Sequence, residues 1–400
     1  MKVLLVNDYG YEAGGAEIIV YTLRDALRGR GHEVRVFASS ASDGTLPIRA
    51  DDLCDGTLDE ARTSLQCMNL SAFRRLRNLI RFFKPDIVHV NLYLTQLSPF
   101  ILRALARVPS VYYAQWYRAI CPVGTRLLPT GESCRLPIGI SCLKQGCMPR
   151  HYWPRIMAQM AINQAWFGRF NRLTAISQAV ANRLEEFGGS VMRQVDVVYP
   201  GTVWTPARNS KEITTTPTIL CAGRLVPEKG IDVLIRAFSL IHSCNSFSRL
   251  IIVGDGPSRP SLMALTVQLG LSGRVDFRGH LSQAETSAAI RAAWCLCVPS
   301  LWEEPFGMIA AEAQMQGIPV IASRAGGLAE IIEEGITGFL VPSGNVEALA
   351  NRLQLLITNG SLALQLGIQS HERAARLFCA NAFARRFEDV YQEMLITAKA

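Results

Sequence analysis

One pattern constrains this chain more than any other. A short Val/Ile/Leu run leads into a glycine-bearing turn, and the turn opens a helical stretch. Val3 to Val6 is followed by Gly14-Gly15, then by Ile19, Leu23, Ala26 and Leu27 on one helical face, then by Gly31 and the run Glu33 to Ala38. That order predicts a β-α-β unit. Ile87 to Val90, Ser110 to Tyr113, Arg172 to Ala175 and Val195 to Tyr199 repeat the strand signal between helical stretches. Alternation of this kind predicts an α/β layer with a mostly parallel sheet.

The cadence restarts after residue 200. Pro200-Gly201 and the polar stretch Thr205 to Pro217 carry no apolar periodicity and read as a linker. Further strand runs follow at Thr218 to Ala222, Leu250 to Val253, Val275 to Arg278, Trp294 to Val298, Val320 to Ala322 and Gly338 to Val341. A chain of 400 residues is long enough for two to three domains of about 150. The expected organisation is therefore a Rossmann-like domain over 1–204, a linker over 205–217, a second Rossmann-like domain over 218–378 and a terminal helix over 379–400. That helix places Phe383, Phe387, Val390, Tyr391 and Met394 at helical spacing. Doubly wound sheets bind ligands beyond the carboxyl ends of their strands, so two of them predict a ligand cleft.

Composition narrows the classes. Hydrophobic residues make up 49% and charged residues 18%, which excludes disorder and small disulfide scaffolds. The formal charge of +8 is compatible with nucleic acid, an anionic membrane surface or phosphorylated small molecules. Eleven cysteines, odd in number and irregular in spacing, fit reduced thiols in the cytoplasm. Met1 to Asp8 reads as a first strand and not as a targeting segment. No window of about 18 uncharged apolar residues exists, so membrane contact is expected to be peripheral, at the inner face.

The loops carry the chemistry. Gly14-Gly15 lacks the G-x-G-x-x-G order of a dinucleotide fingerprint but stands before a helix, where bare N–H groups favour an anion; a simple tight turn is the other reading. Gly223 to Gly230 follows a strand and holds Arg224 and Lys229, a pair suited to a diphosphate, with two solvated loop cations as the alternative. In Pro299 to Ala313, Pro305 suits a first helical position, placing Glu304 at or near the cap and Glu312 about two turns in. Eight positions at 100° each bring the two carboxylates within about 80°, so both can face one cleft and accept hydrogen bonds from vicinal diols.

These residues resemble a known family. Glu304 and Glu312, separated by seven residues within PSLWEEPFGMIAAEA, are similar to the E-x7-E signature of the retaining GT-B glycosyltransferases of family 4, the group 1 glycosyltransferases. The similarity continues through Gly223 to Gly230, Gly254 to Pro257, Val275 to Gly279, Gly317 to Ser323 and Gly335 to Pro342. Gly14 to Glu17, Asp86 to His89 and Ala175 to Ser177 match more loosely. The resemblance implies a GT-B fold whose terminal helix returns to the first domain. It further implies that Arg224 and Lys229 contact the donor diphosphate, that Glu304 holds the transferred sugar and that Glu312 holds the ribose. Gly14, Gly15, Gly223 and Gly307 would complete the donor site, with Gln115 and His89 as acceptor or sugar-side candidates. The donor would be a UDP- or GDP-sugar, the acceptor a saccharide or lipid-linked hydroxyl, and no cofactor would be required.

The chain departs from the family at one position. Where relatives carry histidine in H-D-Y-x-x-x-C-P, it reads Gln115-Trp116-Tyr117-Arg118-Ala119-Ile120-Cys121-Pro122, and glutamine cannot act as an acid or base near pH 7. No D-x-D tripeptide occurs, so protein cations rather than a divalent metal are expected to stabilise the leaving group. Cys121, Cys134, Cys142 and Cys147 share one Gly- and Pro-rich stretch and form a candidate zinc site that lacks C-x2-C pairs; a redox-inert loop is the alternative. Ser71 to Lys84 interleaves Phe73, Leu76, Leu79, Ile80 and Phe83 with five basic residues, suiting either an anionic lipid surface or packing on the sheet. Two functions remain: a retaining hexosyltransferase for surface polysaccharide or glycolipid, or a nucleotide-sugar-binding protein with little or no catalysis. Nucleic acid is not an expected partner.

Overall fold

The computed structural model describes residues 1–59, 62–203, 205–207, 216–242 and 247–398, so most of the linker expected at 205–217 lies outside the described residues. The chain forms two compact units, Met1–Gly201 with Ala380–Ala400, and Thr202–Cys379. Thr202 belongs with the second unit because its N–H donates to the Phe378 carbonyl at 2.6 Å.

The first unit holds a seven-stranded parallel sheet among the described residues, ordered β3-β2-β1-β4-β5-β6-β7. Its strands are β1 (Lys2–Tyr9), β2 (Glu33–Ser39), β3 (Asp52–Cys54), β4 (Ile87–Val90), β5 (Ser110–Ala114), β6 (Arg172–Ala175) and β7 (Val195–Val197). Val3, Leu4, Leu5 and Val6 are wholly buried, as a strand covered on both faces requires. β3 has no counterpart among the predicted strands. It is a polar edge piece paired with β2 at Phe37–Asp52, and Arg35 grips Asp52 at 2.8 and 2.9 Å.

The second unit holds a six-stranded parallel sheet ordered β10-β9-β8-β11-β12-β13. The strands are β8 (Thr218–Ala222), β9 (Arg249–Val253), β10 (Val275–Gly279), β11 (Cys295–Val298), β12 (Val320–Ser323) and β13 (Gly338–Val341). Ile219, Leu234, Phe238, Leu250 and Leu353 anchor the core on one side of this sheet. Strand order reverses between β1 and β4 and again between β8 and β11, and such switch points open a crevice at the carboxyl ends of the strands.

The terminal helix, Ala380–Thr397, packs on the first unit. Phe383, Phe387 and Tyr391 are fully buried, and Phe387 meets the His89 ring at 4.5 Å and the Tyr113 ring at 5.1 Å. Arg30 clamps Glu388 with two bonds of 2.7 Å, and His32 adds a third. This corrects the sugar-side reading of His89. Its Nδ1 lies 2.6 Å from the Tyr391 hydroxyl, it has no exposed surface, and burial pushes its pKa down to about 3. It is a neutral core residue that seats the last helix. Phe387→Ala should cost about 3–5 kcal/mol, read by hydrogen exchange as lost protection in β4 and β5 with the second unit's core strands unchanged.

Candidate functional site

In the second unit the site grows from the loops after β8 and β11. The β8 loop closes in a short 3-10 turn, Pro227–Lys229, ended by Gly230 with φ 62°. A Cβ at Gly230 would stand 2.2 Å from the Pro299 carbonyl oxygen, so only glycine lets this loop lie on the one after β11. The Leu301 N–H then donates to the Glu228 carbonyl at 2.8 Å.

This contact delivers Lys229 to Glu304. Nζ lies 2.5 Å from Oε1, and the Ser300 hydroxyl donates to the same oxygen at 2.6 Å. Glu304 keeps only 6% of its side chain exposed and Lys229 23%, so the carboxylate is enclosed in the loop layer while the ammonium still reaches its surface. The ammonium also lies 5.6 Å over the Trp302 ring. Arg224 is exposed, and among the described residues nothing pairs with its guanidinium. Gly223 uses its N–H on the Val253 carbonyl, but a Cβ there would meet nothing within 4 Å, so its outer face is open.

The helix expected from Pro305 begins later. It spans Met308–Met315 with Gly307 as its cap, so Glu304 lies in the loop before it and Glu312 is only about one turn in. Tertiary pairing overrides the proline preference. Glu304 forms an isolated parallel bridge with Gly326, and the Gly327 N–H donates to the Glu304 carbonyl at 2.8 Å. A Cβ at Gly326 (φ 58°) would lie 2.2 Å from that oxygen, so glycine is again required. The helical-wheel argument for the two carboxylates therefore does not apply. Glu312 is half-buried with no ion-pair partner among the described residues, and burial pushes its carboxyl up to about 7.

In the first unit Gly14 caps the helix Gly15–Gly29 in an extended conformation with no side-chain cap of its own, and the Glu17 carboxyl turns back toward the backbone N–H groups of Gly14 and Glu17. Glu17 is buried in that turn, and burial raises its carboxyl to about 7. Gln115 follows β5 and is 5% exposed; its amide donates to Asn91 at 2.9 Å and its carbonyl oxygen has no partner. Three further residues line a crevice at this sheet edge: Asp8, Asn91 and Arg118. Asp8 accepts backbone N–H bonds from Thr95, Gln96 and Leu97 at 2.7–3.0 Å. Their one signal in the sequence is position, since Asp8 is the penultimate residue of β1 and Asn91 follows β4 at the switch point. Cys121, Cys134, Cys142 and Cys147 line a separate cavity of the same unit.

Two doubly wound parallel sheets in one chain, each with polar loops at its switch point, define a two-domain α/β protein of the GT-B type. Comparison with known proteins agrees. The family model "Glycosyl transferases group 1" matches residues 205–373 and "Glycosyltransferase Family 4" matches 13–202. D-inositol 3-phosphate glycosyltransferase of Nocardia farcinica is 28% identical over 391 residues, covering 91% of this chain and 81% of the relative. Among solved structures, sucrose-phosphate synthase of Thermosynechococcus elongatus aligns with TM-score 0.74 at 21% identity, covering 99% of this chain and all of that one. Anabaena Alr3699/HepE in complex with UDP and glucose aligns with TM-score 0.69 at 20% identity, covering 98% and 100%. The chain belongs to the group 1, family 4 glycosyltransferases and has the GT-B fold.

The raised carboxyls of Glu17 and Glu312 set a pH dependence. A carboxyl that holds its proton more tightly when folded stabilises the protein below its unfolded pKa near 4.5, and that contribution is lost as pH rises through about 7. Glu312→Gln should therefore raise the melting temperature at pH 8 and leave it nearly unchanged at pH 5. An equal shift at both values would show that ionisation is not the cause.

Proposed function

We propose that this glycosyltransferase moves a hexosyl group from a nucleoside-diphosphate sugar to a hydroxyl acceptor with retention of configuration, in assembly of a surface polysaccharide or glycolipid. The observation that carries the reading is the exposed Arg224, unpaired among the described residues and in the same loop as Lys229 of the Lys229–Glu304 pair, at the carboxyl ends of β8 and β11. A diphosphate gains negative charge as the glycosidic bond breaks, and fixed cations at that point lower the barrier. Arg224 can bond two phosphate oxygens at once, while Lys229, held by Glu304, cannot swing away.

Glu304 has a second carboxylate oxygen for sugar hydroxyls, and Glu312, once ionised, can accept both hydroxyls of a ribose. Gly223 and Gly307 offer backbone rather than side chain to the donor, while Gly14 and Gly15 stand at the helix start of the first unit. In the transfer step the acceptor oxygen bonds to the anomeric carbon on the face that the phosphate leaves. The electron pair of the breaking bond goes to the phosphate oxygen, and the acceptor proton follows it there. Gln115 can orient a hydroxyl but not move its proton, so the leaving phosphate is the base in this reading. The cations come from the protein, and no metal is assigned to the step. The Anabaena structure contains UDP, which supports a uridine donor, with a GDP-sugar as the other candidate.

Arg224 is the clean probe. Its removal breaks no bond seen in the protein, whereas Lys229→Ala strands a buried carboxylate. Arg224→Ala should lower kcat by about 10²–10³ with an unchanged melting temperature, measured with UDP- and GDP-sugars and with the product anomer assigned by NMR. Absence of transfer by the wild type with every donor, despite donor binding, would favour the binding-protein alternative.

We also propose peripheral contact with an anionic membrane at its cytoplasmic face. The helix Leu70–Phe83 buries Ala72, Leu76, Leu79 and Phe83 on its own unit, as sheet packing predicts. Its other side exposes Arg74, Arg77 and Arg81 beside Phe82, which is 81% accessible. No helix among the described residues is long and apolar enough to cross a membrane. The protein should co-sediment with anionic vesicles at low salt, and Arg74→Glu with Arg77→Glu and Arg81→Glu should abolish this; equal sedimentation of wild type and variant would refute the contact.

A further inference from the structure

The loop after β5 gathers four cysteines by local backbone devices. Cys121 starts a turn closed by the Gly124 N–H on the Cys121 carbonyl at 3.0 Å. A small hairpin bridged at Leu127–Ser133 then brings Cys134 opposite Arg126, with the Cys134 N–H on the Arg126 carbonyl at 2.7 Å. Cys142 and Cys147 are joined by a Schellman ending of the short helix Ile140–Lys144. The Cys147 N–H donates to the Cys142 carbonyl at 3.0 Å and the Gly146 N–H to Leu143 at 3.1 Å, with Gly146 at φ 69°. All four are free thiols and line one cavity of about 20 Å³, room for a single ion or water but not for a multi-iron cluster.

A second observation points to an anion in the same cavity. Arg126 also lines it and is 3% exposed. One guanidinium nitrogen donates to the Leu136 carbonyl at 3.2 Å and the plane covers the Phe187 ring at 3.7 Å, yet Nε and Nη2 are buried without any partner. Unpaired guanidinium donors inside a protein are costly, and the groups around them are thiols, which are neutral until deprotonated. A disulfide would also be neutral and would leave the arginine orphaned.

We propose that Cys121, Cys134, Cys142 and Cys147 bind one structural Zn²⁺ as a tetrathiolate, with Arg126 donating hydrogen bonds to its sulfurs. Binding releases the four thiol protons and leaves a net double negative charge, which the buried guanidinium partly offsets. Among the described residues no three ligating side chains already converge to metal-holding distance, so the ion draws the walls of the cavity together. The site begins six positions after Gln115 and pins the loop that carries Trp116 and Arg118.

The test uses the full chain expressed with zinc and dialysed. Mass spectrometry of metals should find about one zinc per chain; less than about 0.2, or iron in its place, overturns the proposal. Cys142→Ser with Cys147→Ser should lose the metal. In case that variant does not fold, the wild type stripped and reloaded with Co²⁺ should show thiolate-to-cobalt charge transfer and tetrahedral d–d bands, and zinc should protect four cysteines from alkylation. A disulfide between any two of the four in the isolated protein would overturn the site. Arg126→Gln should keep the stoichiometry and weaken zinc affinity about 10–100-fold; unchanged affinity would remove the arginine from the assignment.

Discussion

The second unit is organised around a carboxylate that cannot be left alone. Glu304 is almost wholly enclosed, and removing one partner of a buried pair typically costs about 3–5 kcal/mol. Lys229 and Ser300 satisfy one of its oxygens, but only because two loops from strands on opposite sides of the switch point touch. That touch requires an absent side chain at Gly230, and the backbone path of Glu304 requires another at Gly326. The cation is thus held by protein contacts alone, which is the preorganisation that the proposed reaction calls for.

The two switch points share a topology and differ in charge. The β8–β11 edge carries an exposed guanidinium and a held ammonium. The β1–β4 edge carries buried Asp8, Asn91 and Gln115, with Glu17 in the first turn of the adjacent helix and one buried cation, Arg118, in the same crevice. A leaving diphosphate asks for the first set. An acceptor hydroxyl, which needs hydrogen-bond acceptors and donors of modest strength, fits the second. The asymmetry agrees with the proposed reaction, and the overall charge of +8 does not by itself locate the two cations, Arg224 and Lys229, that the reaction uses.

How far these features were legible in the sequence depended on whether local or distant contacts set them. Long strands were legible because both faces are buried and every residue in Val3 to Val6 must be apolar. Asp52–Cys54 was not, because a three-residue edge strand is held by the arginine on its neighbour and not by its own pattern. Pro305 carried a real helix-start preference that lost to pairing between Glu304 and Gly326, residues 22 apart. His89 carried no mark of its burial; the information lay three hundred residues later, in aromatic residues at helical spacing. Arg224 and Lys229 were legible because a loop between strand and helix is short, and its residues have few places to go.

The packing of Ala380–Thr397 on the first unit has a consequence for how the chain is made. Two hundred residues emerge from the ribosome before the second unit begins, and at about 5–20 residues per second the first sheet waits many seconds for its last helix. Through that interval the apolar seat around His89 and Tyr113 is open. A nascent chain of this design is therefore most exposed to misassociation in the unit made earlier, and loss of Ala380–Thr397 would damage the unit built from Met1–Gly201.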